Sequence, residues 1–378
     1  MTYGYSGNLD PRKTPLPISG TLTNNVTNFP VQRISNLNNP SLRWEKSRQI
    51  NFALQFATAG RIFSGTIEYY LKKGTDLYGE TPYDYTAWGL QSTITRNVAD
   101  MEGRGIDVSL SSKNIDRAFK WNTDLIYNYN SSKTTRYFTD DSKDFFGAVF
   151  NGNTIIPVVG RPLYALTAYK SAGLNNEGDP LGYLDGVLST DYRAITNSIT
   201  EKGLESGGVV FVGPANPTHF GSMINSFRWK GIALSVNILY KMGYYFRTPS
   251  FSSSTLINGG YGHADYYERW QQPGNELQTR VPKMVYPDYP QFSFRENFYR
   301  YSKVNTARAD NIRLHYINLS FDFNSLTKNF KRTSSLQLYA NASNLGLIWR
   351  ANQFKADPDY SNTFAPQAQY TIGLRGNF

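Results

Sequence analysis

Three histidines, His219, His263 and His315, are the first residues to weigh for metal or acid–base chemistry, and they stand far apart with no ligand spacing between them. Ordinary loop and strand-face positions account for them. No H-E-x-x-H, G-x-S-x-G or phosphate-loop pattern occurs. Gly103-Arg104-Gly105 lacks the third glycine of a dinucleotide fingerprint. Asp357-Pro358-Asp359 has the acidity of a calcium corner, but Asp-Pro is first of all a turn former. The chain contains no cysteine, which removes disulfides, thiolate metal sites and thiol nucleophiles. With no nucleophile, base and metal set assembled, the sequence reads as a non-enzyme that holds neither cofactor nor metal.

Recognition chemistry is a different matter. Tyr83, Tyr85 and Trp88 cluster in one loop. Tyr261, His263, Tyr266, Tyr267, Glu268, Arg269 and Trp270 cluster in another. Aromatic faces beside a few charged groups are what a sugar- or peptide-binding mouth uses. Packing of long loops on one another is the competing account of the same residues. Of these, Tyr83, Tyr85, Trp88, Tyr266, Tyr267 and Trp270 are taken as the expected substrate or lid contacts.

Such loops need a scaffold, and the 378 residues supply one by alternation. In 49–56, Ile50, Phe52, Leu54 and Phe56 alternate with Gln49, Asn51, Ala53 and Gln55. Ala59-Gly60-Arg61 turns the chain into Phe63, Gly65, Ile67, Tyr69 and Leu71, which oppose Ser64, Thr66, Glu68, Tyr70 and Lys72. Two alternating runs joined by a tight turn predict a β-hairpin. The unit recurs around the turn near 113–117, at Lys230-Gly231, and between 314–323 and 336–343. Two adjacent apolar residues, Tyr316-Ile317, break the period and predict a bulge. With a stub at 1–6 and a last strand at 368–378, the count is about ten. No segment reads as a long helix, and 7–41, rich in Asn, Pro, Ser and Thr, reads as a loop.

Connections alternate in length. Short or moderate links at 57–62, 112–118, 230–231 and 324–333 are separated by long ones at 7–41, 78–92, 131–217, 246–308 and 344–366. That alternation is the pattern of a membrane barrel, with periplasmic turns and extracellular loops. A mean hydropathy of −0.48 does not oppose it, because lipid-facing and lumen-facing residues average out along each strand. Aromatic residues make up 15% of the chain, which suits interfacial girdles. No run of about 18 apolar residues exists to form a membrane helix. The charge balance, 39 Lys+Arg against 29 Asp+Glu, is scattered rather than clustered on a stripe, which predicts no nucleic-acid partner and suits lumen and rim positions beside anionic lipid. A soluble, secreted β-rich carbohydrate-binding module stays open as the alternative, and the two differ in whether the apolar rows face lipid or meet in a core.

The carboxy terminus closes the pattern. Tyr370, Ile372, Leu374 and Phe378 fall on one side of a strand, and Gln369, Thr371, Arg375 and Asn377 on the other. Ending on an aromatic residue resembles the last strand of bacterial outer-membrane barrels, where that signal is read by the barrel-assembly machinery.

Ordered motifs carry a closer resemblance. Asn39-Pro40-Ser41-Leu42-Arg43-Trp44-Glu45 followed by Gly65-Thr66-Ile67-Glu68-Tyr69-Tyr70 is similar to a run of the SusC/RagA-type TonB-linked transporters. Asn97 to Asp107, Tyr169-Lys170-Ser171-Ala172-Gly173-Leu174, Gly178-Asp179-Pro180, Asn216-Pro217-Thr218, Ala309 to Leu314, Ala340 to Leu345 and Asp357-Pro358 match in order. The resemblance implies an all-β, antiparallel transmembrane β-barrel, of which 1–378 would be the carboxy-terminal part, about ten strands of a larger barrel of about 22. It implies outer-membrane import of glycans or peptides, a SusD-like surface lipoprotein over the loops, and the TonB complex as energy source. The family's signal peptide, TonB box and plug have no counterpart in this sequence. TonB coupling would therefore run through amino-terminal parts outside it, and this portion alone is expected not to transport.

Overall fold

The computed structural model describes residues 1–10, 13–84, 86, 93–137, 157–323, 335–361 and 363–377. Ten antiparallel staves follow one another in chain order: β1 (Thr2–Asn8), β2 (Glu45–Ala57), β3 (Phe63–Pro82), β4 (Thr93–Asp116), β5 (Phe119–Tyr137), β6 (His219–Trp229), β7 (Ile232–Met242), β8 (Asn311–Asp322), β9 (Ser335–Ser343) and β10 (Gln369–Asn377). Each pairs with its sequence neighbour, so the wall is an uninterrupted meander, and a short strand, Leu347–Arg350, adds to the end of β8. The expected hairpins and the expected count of about ten are all present. Both residues of the 230–231 turn have positive φ, 45° and 86°, the mirror-image turn whose twist matches a two-residue hairpin. The expected bulge is there too: pairing shifts between Asn237 and Ile238, skipping His315.

Register aligns the apolar alternation of separate staves into common rows. Leu54, Ile67, Val108 and Tyr127 lie side by side across β2 to β5. Phe227, Leu234, Leu319, Ala340 and Ile372 do so across β6 to β10. A slip of one residue in any stave would turn its row to the opposite face, so one oily face fixes every register at once. The other face carries Thr66, Ser109, Asn128, Glu68 and Lys241, with Ile126, Ile224 and Leu239 among them. Near the short turns the rows become aromatic: Phe119 stacks on Phe227 at 6.2 Å, Trp121 on Phe227 at 5.8 Å, and Phe56 lies 5.7 Å from Phe63.

These rows are not a core. Leu54, Ile67, Ile232, Leu319 and Ile372 are between 40% and 79% exposed. Among the described residues, the buried apolar side chains on staves are Ile94, Val98 and Ala99, near the long-loop end of β4. The main buried clusters lie elsewhere, one of Tyr169, Tyr192, Ile195, Ile199, Val209 and Phe298, and one of Tyr244, Phe246 and Ala309. A soluble sandwich would place its alternating rows in such a core.

Two expectations are corrected. The long connections contain helices, α1 (Tyr192–Lys202), α2 (Ser253–Gly259) and α3 (Phe292–Arg300), of 11, 7 and 9 residues. Asp191 caps α1 by accepting from the Ala194 N–H at 3.0 Å, and Tyr192, Ile195 and Ile199 form its buried stripe. The 7–41 stretch is not all loop either: Ile18–Thr23 and Pro30–Asn36 pair as a hairpin. Staves also run longer than their apolar periods. β3 has 20 residues and β4 has 24, where about 9–11 suffice to cross a bilayer. Beyond the bilayer no row has to be apolar, so alternation fades in 73–82 while pairing continues.

Candidate substrate-facing site on the long-loop side

Three long connections leave the wall on one side and interlock as a cap. Its first layer is short strands: Ala165–Tyr169 pairs with Val209–Pro214, and Tyr245–Arg247 with Thr306–Arg308. Phe298 of α3 packs 4.9 Å from Tyr169 and 5.3 Å from Tyr192 of α1, which joins the connection after β5 to the one after β7.

A buried ion pair locks the two. Asn175 accepts the backbone N–H groups of Glu177 and Asp179 at 3.0 and 2.8 Å, closing a turn. Gly178 at its apex has φ of +79°, and a Cβ there would stand 2.4 Å from the Trp270 ring. Asp179 accepts from Arg295 Nε at 2.7 Å and Tyr289 OH at 2.6 Å, with Lys283 Nζ at 3.1 Å. The Arg295 side chain has no exposed surface. Its other nitrogens reach Glu296 at 3.2 Å and the Lys283 carbonyl at 3.1 Å, so the charge is both paired and hydrogen-bonded. Burial pushes the Asp179 carboxyl up, but the Tyr289 hydroxyl and the Arg295 and Lys283 charges outweigh it and hold it below its ordinary range. The third connection ties down through Asp357 and Asp359, which meet Arg313 at 2.7 and 3.3 Å, while Asp359 also takes Lys241 at 2.9 Å. Asp357-Pro358-Asp359 is a turn, with Asp357 accepting from the Asp359 N–H at 3.1 Å.

Two adjoining cavities stand out among the described residues of the cap. The larger, about 970 Å³, lies between 263–280 and 353–356 and is lined by His263, Tyr267, Arg269, Arg280, Phe354 and Lys355 among others. The smaller, about 400 Å³, is lined by 247–252 with Arg300, Tyr301 and Asn305. Thr248 and Pro249 belong to both.

The aromatic residues expected to touch substrate take different positions. Tyr267 is 83% exposed on the larger cleft. Tyr266 packs 4.9 Å from Phe251 under the Arg269 guanidinium, and Trp270 lies on Gly178 and donates from Nε1 to Glu276 at 3.0 Å. Tyr83 is half-buried with the Arg96 guanidinium 5.9 Å from its ring, while Tyr85 and Trp88 lie outside the described residues. Tyr370, Ile372 and Leu374 share one exposed face of β10, and Phe378 also lies outside the described residues. His219 accepts or donates at Tyr127 OH over 2.9 Å, His263 sits 2.7 Å from Asp265, and His315 marks the bulge. Asp179, Lys283, Tyr289 and Arg295 escaped any assignment of role from the sequence, because 116 residues separate Asp179 from Arg295.

A long antiparallel meander with an oily outer face, aromatic residues at its short turns and a folded cap at its long loops is the wall of an outer-membrane β-barrel. No protein-family model matches the chain. A TonB-dependent receptor of Formosa agariphila is 24% identical over 367 residues, covering 89% of this chain and 33% of that receptor. TonB-dependent receptor SusC of Bacteroides thetaiotaomicron is 28% identical over 111 residues, 29% of this chain and 11% of SusC. The structure of the RagAB peptide transporter superposes with a TM-score of 0.74 at 21% identity, over 100% of this chain and 40% of that one. By sequence and fold together, the chain is similar to a barrel portion of the SusC/RagA-type TonB-dependent receptors, and it resides in the outer membrane. It spans about a third of the length of the curated relatives it matches, 33% and 38% of two from Formosa agariphila.

Proposed function

We propose that the chain is the carboxy-terminal portion of a TonB-dependent importer of glycans or peptides, acting beneath a SusD-like surface lipoprotein. One observation carries the reading: the long loops fold into a cap with open, aromatic and charged clefts above a wall whose oily face has no protein partner among the described residues. A structure of that fold belongs to a peptide transporter, and the curated relatives are receptors, which supports import over catalysis. The wall's end staves, β1 and β10, do not pair with each other among the described residues, and unpaired backbone in lipid costs several kcal/mol per group. The remaining staves, plug and TonB contact are assigned to the rest of a full-length receptor, so this portion alone does not transport. The β10 face of Tyr370, Ile372 and Leu374, with Phe378, is assigned to recognition by the barrel-assembly machinery. Tyr83, Tyr85, Trp88, Tyr266, Tyr267 and Trp270 are assigned to the substrate or lid side.

The test is uptake. Cells carrying the full-length receptor, with and without a functional TonB complex, are given labelled oligopeptides and oligosaccharides. Accumulation that requires both receptor and TonB is the expected result. Accumulation indifferent to TonB, or none for either ligand class, removes the reading.

A further inference from the structure

The smaller cavity is cationic. Arg247 and Arg300 both line it, and no aspartate or glutamate is among its lining residues. Arg247 is positioned before any ligand arrives. Its backbone is fixed by pairing with Thr306, its Nη2 donates to the Thr167 carbonyl at 2.9 Å, and its guanidinium lies 4.9 Å from the Tyr301 ring centre. Burial pulls its pKa down to about 10, which leaves it charged at neutral pH. Arg300 closes α3, is exposed, and forms no ion pair among the described residues.

Neighbouring carboxylates are already engaged. Asp265 takes the Ser250 hydroxyl at 2.6 Å, the Phe251 N–H at 2.9 Å and His263 at 2.7 Å. Glu296 takes Ser252 at 2.9 Å and Arg295 at 3.2 Å. The adjoining larger cleft is mixed in sign, with Arg269, Arg280 and Lys355 against Asp265 and Glu268, and Tyr267 offers it an apolar face. Two arginines in one chamber and mixed charge in the next fit a ligand whose negative charge is concentrated at one end. A uronate oligomer carries charge on every sugar; an unmodified peptide carries a carboxylate at one terminus. Arginine forks match carboxylate geometry, and a pre-positioned fork loses little entropy on binding.

We propose that the smaller cavity holds the terminal carboxylate of a peptide, with the larger cleft taking the residues that precede it. This deepens the import reading above and rests on it. The experiment is binding to the purified full-length receptor, read by anisotropy of an amino-terminally labelled Ala/Ser hexapeptide, its carboxamide twin and a labelled oligogalacturonate. The free acid is expected to bind about tenfold or more tighter than the amide, the range of one charge-assisted contact. In Arg300→Gln and Arg247→Gln that ratio falls below about twofold, and in Arg247→Lys it falls only partway, since Lys keeps charge without the fork. Arg300 is exposed, so its variant keeps the test informative if Arg247→Gln does not fold. Equal binding of acid and amide, a ratio that survives both substitutions, no hexapeptide binding, or arginine-dependent binding of the oligogalacturonate alone overturns the proposal. Discrimination without TonB-dependent uptake removes the import reading instead, so the two failures are distinguishable.

Discussion

Replacing Asp179 by asparagine should loosen the cap while leaving the wall intact. The carboxylate and the Arg295 guanidinium it faces are 7% and 0% exposed, and its two oxygens also take Tyr289 and Lys283. The asparagine keeps the shape but strands a buried cation and turns an amide N–H₂ toward donors. Breaking one side of a buried pair costs about 3–5 kcal/mol. That cost falls on local opening of the cap, since its bonds join residues 178–179 to 283–296 and none reach a stave. Taking the lower figure, amide exchange of 175–182 and 283–299 should quicken by about two orders of magnitude. The assay is hydrogen exchange by mass spectrometry on the full-length receptor, with peptides from β6 and β7 as internal controls. Exchange in the cap within about threefold of wild type, or equal acceleration in the staves, would mean that this pair does not hold the cap closed locally.

Further outcomes come from the same geometry. Because the Asp179 carboxyl is held below its ordinary range, its contribution is present above about pH 4 and is lost as pH falls through the depressed value; proteolytic protection of the cap should stay level from about pH 8 to 5 and decline only below about 4. A loss between pH 7 and 5 would point to a histidine instead. Trp270→Ala should cost up to about 3 kcal/mol of cap stability, since the partly buried ring covers Gly178, whereas exposed Tyr267→Ala should stay within about 0.5 kcal/mol; hydrogen exchange at 175–180 separates them. Ile372→Arg on the oily row should lower the assembled, heat-modifiable fraction of the receptor in the outer membrane, at about 2–4 kcal/mol for a charge near mid-bilayer, while Thr371→Arg on the other face should leave it nearly unchanged.

The wall was legible because its signal is local. Lipid on one face demands an apolar residue every second position, so 49–56, 63–72 and 232–242 announced themselves, and the paired apolar residues Tyr316-Ile317 marked the bulge to within two residues of His315. The extensions of β3 and β4 were not legible, because past the bilayer no row has to be apolar, and the buried residues of that part of β4, Ile94, Val98 and Ala99, follow no period of two. The cap was hidden for another reason. Its helices are short, and Phe292–Arg300 directs an arginine inward at Arg295 where a periodic reading looks for an apolar residue. The partner that makes this tolerable, Asp179, lies in a different connection, and no spacing rule joins them. Of the candidate site, the loops that carry it were legible from their length, and Tyr267 among its residues does line the larger cleft; Arg247 and Arg300 gave no sign, since a lone arginine in a long connection follows no sequence pattern.

A membrane wall of this kind requires acyl chains to wet the oily rows. The chain has no cysteine, so single cysteines can be placed one at a time along Ile232–Met242 of the full-length receptor and spin-labelled in bilayers. Collisions with oxygen, which dissolves in lipid, should peak at Ile232, Leu234, Val236, Ile238 and Tyr240; collisions with a water-soluble nickel complex should peak at Ala233, Ser235, Asn237 and Leu239. A period of two with those phases is the expected outcome. Labels at Leu234, Val236 and Ile238 shielded from both reagents would place the row inside a protein interior and contradict it.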